Sequence, residues 1–338
     1  MTRFASFLSR AAPVAFVAFL AVLPLLLPGR FWPHILTITV IFSILALGQN
    51  IITGWCGMLT IGQAAFAGVG AYTSAILTMN FDVPWPVAFL AAGLLSAAVG
   101  ALLALPCLRV RSDFLSLVTI AFNQLFFVVA NNWMDVTRGP MGLTGVPPMS
   151  AFGWVASRPA QQFWLMLGVA VLLYIAVGRL TRGATGRAWK MIRDDEIAAR
   201  SIGVDVTYYK VLAFAIGCAL CGFGGSFYGH YLRLVSPDMF RLDDSLLLMQ
   251  MAILGGLASM PGTILGTVLM IMIPEALRSS NELLVTLRPG IGGAILLALM
   301  IWRPNGLLGT GGPPLFGSIS RALRQKLGLD ARTKAARS

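Results

Sequence analysis

The sequence predicts an all-α, polytopic membrane protein with about ten transmembrane helices and both termini in the cytoplasm. Three observations predict it. Of 338 residues, 57% are hydrophobic and only 11% are charged, where a soluble domain carries about a quarter. Apolar runs recur along most of the chain, each near the roughly 20 residues that a helix needs to cross the hydrocarbon. The basic residues fall between those runs in an alternating pattern.

The elements follow in order. Residues 1–12 form a tail with Arg3 and Arg10. A first span, about Pro13–Pro28, reads as retained rather than as a cleaved signal, because a membrane chain follows it. The next four spans are about Ile35–Ile52, Leu59–Met79, Trp85–Leu108 and Phe114–Ala130. The third is rich in small residues. Residues 131–161 are turn-rich and form an external loop. The sixth span is about Phe163–Val177, a central loop covers 179–210, and the seventh span is about Val211–Leu232. The eighth, Ser245–Ala258, and the ninth, Gly262–Ala276, are short and separated at Ser259-Met260-Pro261, so they could be one broken pair. The tenth is about Gly290–Trp302, which closes a permease-sized body over 13–302, and residues 303–338 are a basic tail. This arrangement puts 18 of the 25 basic residues on the side of the termini and the central loop. That side is the cytoplasm.

Within the central loop, Gly186–Gly203 is the long charged exception in a greasy chain. It reads as one amphipathic helix. Ala188, Met191, Ile192, Ala198, Ala199 and Ile202 share a face, interrupted only by Asp195. Glu196 and Arg200 stand four apart with the acid first, the favourable order. Gly203 is a stop and Asp205 a cap for the following helix. The helix is either an ordinary loop helix or a docking helix for a cytoplasmic motor.

The formal charge of +12 does not mark a nucleic-acid binder, since no basic face is interleaved with aromatics. Nor does an enzyme emerge. His34 and His230 have no ligand or nucleophile partner nearby in sequence and fit interfacial positions. Cys56, Cys107, Cys218 and Cys221 sit in or beside apolar runs and read as packing residues. None of the four lysines completes a phosphate loop, so any ATP-driven step belongs to another polypeptide. Asn50, Thr60, Gln63, Tyr72, Asn123, Gln124 and Gln250 are polar within or beside spans. They serve either helix–helix hydrogen bonding or a solute route. None carries a charge, which weighs against a proton- or sodium-coupled carrier. Glu275 reads as an interfacial partner of Arg278. The Gly225/Gly229 and Gly262/Gly266 pairs fit close packing or a sliding pore wall.

Five blocks resemble a known family. They are Asn50–Thr73, Gly139–Gly145, Arg193–Gly203, Ala252–Gly266 and Arg303–Gly309. Arg193-Asp194-Asp195-Glu196-Ile197-Ala198-Ala199, then Gly203, resembles the "EAA" loop of ABC-importer permeases. Together the blocks resemble the M-type permease subunits of branched-chain amino acid importers, with Gln63 standing where family members often carry His. The resemblance implies a bacterial inner-membrane chain with no cofactor of its own. It pairs with a second, homologous permease, two ATPase subunits that bind ATP, and a periplasmic or tethered solute-binding protein, all in membrane lipid. It places ATPase docking at Arg193, Asp194, Glu196, Ala198, Ala199 and Gly203. The family also takes urea, short amides and aromatic acids. A stand-alone carrier or channel is the alternative from another class.

Overall fold

The computed structural model describes residues 31–107, 113–151, 154–156, 158–278, 293 and 306–308. The expected first and tenth spans, the N-terminal tail and nearly all of the C-terminal tail lie outside the described residues, as do the side chains of Glu275 and Arg278. Helix α1, Phe31–Asn50, runs directly into a π-helical turn, Ile51–Trp55. Then come α2 Gln63–Asn80, α3 Trp85–Cys107, α4 Asp113–Asn132 and α5 Pro159–Arg182. The central loop forms α6 Ala184–Asp194 and α7 Glu196–Ser201. Helices α8 Val206–Leu232, α9 Leu242–Gly255 and α10 Met260–Arg278 complete the chain order. Among the described residues, five helical stretches are long and apolar enough to cross a membrane: Trp32–Trp55, Trp85–Leu105, Leu115–Asn132, Pro159–Arg182 and Val206–Leu232.

Helix α8 is the hub, packed against α1, α2 and α3. Its glycines make this possible. A Cβ at Gly225 would strike the Ala67 backbone, and one at Gly217 would meet Ile52 and the Gly48 carbonyl. Small residues let helix backbones approach where there is no water to drive association. Gly262 and Gly266 likewise lie against Gly255 and Met251. Both glycine pairs therefore pack within this chain. Helices α2 and α8 run in the same direction: Gln63 Oε1 reaches the Cys221 thiol at 3.3 Å, Ala71 lies beside Gly229, and Ser226 Oγ donates to Ser74 Oγ at 2.7 Å.

Three expected elements differ. The third span begins at Gln63 rather than Leu59, because residues 57–62 are irregular, with Gly57 at φ 76°. Their backbone groups find partners elsewhere: Gln49 Nε2 donates to Thr60 O at 2.9 Å, and Ile61 N donates to Thr119 Oγ1 at 3.1 Å. Non-helical backbone is tolerated at this depth only when satisfied in this way. The break between α9 and α10 falls at Gly256–Ser259, with Gly256 at φ 114° and Ala258 at φ 58°. Met260 and Pro261 open α10 instead, where a first-turn proline forfeits no helical hydrogen bond. At 14 residues, α9 is about 21 Å long, short of the roughly 30 Å hydrocarbon thickness.

At the end of α8 opposite the central loop, strand β1 Leu143–Thr144 pairs antiparallel with β4 Leu234–Val235. Strands β2 Ser150–Ala151 and β3 Trp154–Val155 form a second small pair. His230 is buried: its Nδ1 faces the Pro147 carbonyl at 2.8 Å and its Nε2 faces Ser74 Oγ at 2.6 Å. This ties the 131–161 loop to α2 and α8.

Candidate functional site

The run 186–203 is two helices, not one. Asp195 takes an extended backbone, and its side chain accepts from the Ile197 and Ala198 amides at 2.9 and 3.0 Å. The residue that interrupted the apolar face is thus the N-cap of α7. Asp205 caps α8 in the same way, accepting from Tyr208 N at 3.0 Å, and Gly203 is left-handed at φ 87°. Gly186, Ala188, Trp189 and Ile192 bury one face of α6, with Trp189 Nε1 donating to Tyr209 O at 2.8 Å. The second helix buries only Ala199. Met191, Asp194, Ala198 and Gly203 are exposed, and Ile197 and Ile202 are 80% and 68% exposed. The change of direction at Asp195 turns these apolar side chains outward. Glu196 pairs with Arg200 at 3.4 Å and with Lys210 Nζ at 2.5 Å, and Lys210 is buried.

Arg193 turns the other way. Its side chain is 28% exposed, and Nη1 donates to the Gly54 carbonyl, in the π-turn, at 2.8 Å. Its Cγ lies where a Cβ at Gly57 would go, and Gly57 is left-handed at φ 76°. Only glycine meets both demands easily. Gly54 in turn leaves room for Asn50: a Cβ there would strike Asn50 Oδ1 and the Ala258 amide. Asn50 is wholly buried and spends its amide on the turn between α9 and α10. Its Nδ2 donates to the Gly256 and Ser259 carbonyls and to Thr263 Oγ1, while Oδ1 accepts from Ala258 N at 3.0 Å. Leu307 N and Leu308 N donate to Leu254 O and Gly255 O at 3.0 Å. Four sequence blocks thus meet at one junction: the π-turn, the loop arginine, the glycine turn and the terminal signature. Reasoning from sequence passes over Gly54, Ala258, Thr263 and Lys210. The crowding of small residues in the first and fourth blocks is the signal that marks the first two.

The polar span residues separate. Asn50 and Gln63 are buried and hydrogen-bonded within the chain. Gln124 is exposed and Gln250 half-buried. Tyr72 and Asn123 are buried, yet the Tyr72 hydroxyl and Asn123 Oδ1 have no hydrogen-bond partner. Ala64 N donates to Ser245 Oγ at 3.0 Å, which sets the start of α9, with Asp243 and Asp244, beside the start of α2. Among the described residues no cluster of His, Cys, Asp or Glu could hold a metal ion.

Residues 33–302 match the family described as branched-chain amino acid transport system / permease component. The chain is 35% identical to the high-affinity branched-chain amino acid transport system permease protein LivM of Salmonella typhimurium, and 34% identical to that of Escherichia coli K12. Each match covers 81% of this chain and 69% of the relative. It is 23% identical to the LivH permease of Salmonella typhimurium over 79% of this chain and 91% of that one. The span pattern, the junction built from its signature blocks and these matches agree, and the chain belongs to the branched-chain amino acid transport permease family.

Proposed function

We propose that this chain is one permease subunit of an ABC importer, forming part of the path for leucine, isoleucine and valine across a bacterial inner membrane. It has about ten spans, both termini and the 179–210 loop in the cytoplasm, and the 131–161 loop outside. A second, homologous permease completes the path, a solute-binding protein delivers the solute, and two ATPase subunits supply the force. ATP is theirs: this sequence has no phosphate loop. The observation that carries the reading is α7. Ile197 and Ile202, on and just after α7, stand exposed in a charged loop in which Asp194, Ala198 and Gly203 are exposed too, and a docked ATPase subunit would cover them. Closure of the ATPase dimer pushes on this face. Arg193 passes the motion to the π-turn, and Asn50 passes it to the turn between α9 and α10. Bistable packed elements amplify small shifts of this kind.

The test is uptake in a strain lacking the chain. Leucine uptake falls and returns with the gene. Unchanged leucine uptake with lost urea uptake would move the substrate to the amide branch of the family. Leucine transport by the purified chain without ATPase subunits would overturn the importer reading in favour of a carrier.

A further inference from the structure

The segment between β4 and α9 descends into the body of the bundle. Val235 lies against Gly229 near the far end of α8, and Phe240 lies against Gly68 and stacks edge-on with Phe126. Ser245 then meets Ala64. Ala64 sits at the level of Cys221, because its neighbour Gln63 reaches that thiol. Cys221 is about 16 Å down α8 from its last residue, Leu232, at 1.5 Å per residue. Half of a 30 Å hydrocarbon layer is about the same distance. The end of α8 is level with the start of α1, where His34 bonds Tyr231 at 2.8 Å, so Leu232 does not project far beyond the bundle.

Residues 236–244 therefore bring Asp238, Arg241, Asp243 and Asp244 into the outer half of the membrane. Asp244 is partly used, accepting from the Arg241 amide at 3.1 Å. Asp238, Arg241 and Asp243 are exposed. The Arg241 guanidinium stands 3.7 Å from Asp238 and over the Phe127 ring. Exposed charges at this depth face water or a partner rather than lipid. A second, independent feature points inward to the same place. The Tyr72 hydroxyl is buried and unpartnered, its ring set against Phe126, which in turn packs on Phe240, and Asn123 bonds the Phe240 carbonyl through Nδ2 while its Oδ1 has no partner. Unpaired buried polar atoms are costly, and a passing solute would give them partners.

We propose that Asp238, Arg241 and Asp243, with Tyr72 and Asn123 behind them, form a station on the path for a zwitterionic α-amino acid. It rests on the importer reading above and adds the residues that meet the solute's two charges. Arg241 faces the carboxylate with its planar donors. The carboxylates and Asn123 Oδ1 face the ammonium. The rings of Phe126, Phe127 and Phe240 flank the apolar side chain.

The experiment uses the full importer in liposomes with its binding protein and leucine. Arg241→Gln and Asp243→Asn each lower leucine uptake at least tenfold, Arg241→Lys restores part of it, and binding-protein-stimulated ATP hydrolysis stays within about twofold. Arg158→Gln, an exposed charge at the start of α5, changes nothing. In Asp243→Cys, a water-soluble thiosulfonate labels the thiol, and leucine-loaded binding protein slows labelling relative to the empty protein. Uptake within twofold of wild type in both charge variants, or labelling indifferent to leucine, overturns the station while leaving the importer intact. If a charge variant fails to assemble, the labelling arm decides. A wild-type importer that does not move leucine fails the underlying reading instead.

Discussion

Replacing Arg193 with alanine tests whether motion of the loop reaches the π-turn through this one side chain. The guanidinium donates to the Gly54 carbonyl at 2.8 Å with 28% of the side chain exposed. A hydrogen bond from a charged donor contributes about 1.5–3 kcal/mol, and partial exposure lowers this to about 1–2 kcal/mol. The nearby Asp194 carboxylate, at 3.6 Å and 61% exposed, adds little in water. At about 1.4 kcal/mol per factor of ten, the seating of the loop on the π-turn weakens roughly 5- to 30-fold. Helix α6 stays docked through Trp189 and Ile192, so assembly survives. In liposomes holding the complete importer, ATP hydrolysis continues while leucine moved per ATP falls about fivefold or more. Arg193→Lys, which keeps the charge but not the reach of the fork, falls between. An unchanged ratio of solute to ATP in Arg193→Ala would refute the tie, because the contact would then be incidental to transmission.

Other expectations follow from the same contacts. Asn50→Leu keeps the volume but strands the Ala258 amide, a loss of about 1–3 kcal/mol. Lower thermal stability in detergent and lost uptake check it. Gly225→Ala drives a Cβ into the Ala67 backbone and destabilises by about 1–3 kcal/mol, whereas Gly168→Ala meets nothing within 4 Å and stays near neutral. Denaturation of the two variants side by side separates them. Glu196→Lys lowers both ATPase co-purification and the stability of the loop, since it sets a second ammonium against buried Lys210. Lys210→Met in the same chain recovers the stability but not the docking, as read by proteolysis and pull-down. His230→Leu leaves the Pro147 carbonyl unpaired and speeds protease cleavage within residues 139–148.

Much of this chain is legible from composition and spacing. The long apolar runs define the strongest helices, since hydrocarbon demands about 20 residues of them. Thus α1, α3, α4, α5 and α8 begin and end within a few residues of where the apolar runs place them. The caps at Asp205 and Gly203 are readable because capping is local chemistry. Boundaries fail where tertiary partners replace local ones. The irregular residues before Gln63 look apolar and helical in sequence, yet their backbone groups are satisfied by Gln49 and Thr119, which lie on other helices. Asp195 is visible as a break in the apolar face, but an acid at one position does not reveal that it stops one helix and caps the next.

The sequence by itself determined the class of the molecule, its strongest spans, its charged loop and its lack of a phosphate loop. These depend on residue type and order, which hydrocarbon and water read directly. Only the tertiary structure decided that Arg193 points inward, that Asn50 is spent on the turn between α9 and α10, and that Asp243 and Asp244 lie in the first turn of a helix set beside the start of α2. The reason is physical. A polar side chain in a bundle is defined by the partner it finds, and that partner lies on another helix tens to hundreds of residues away.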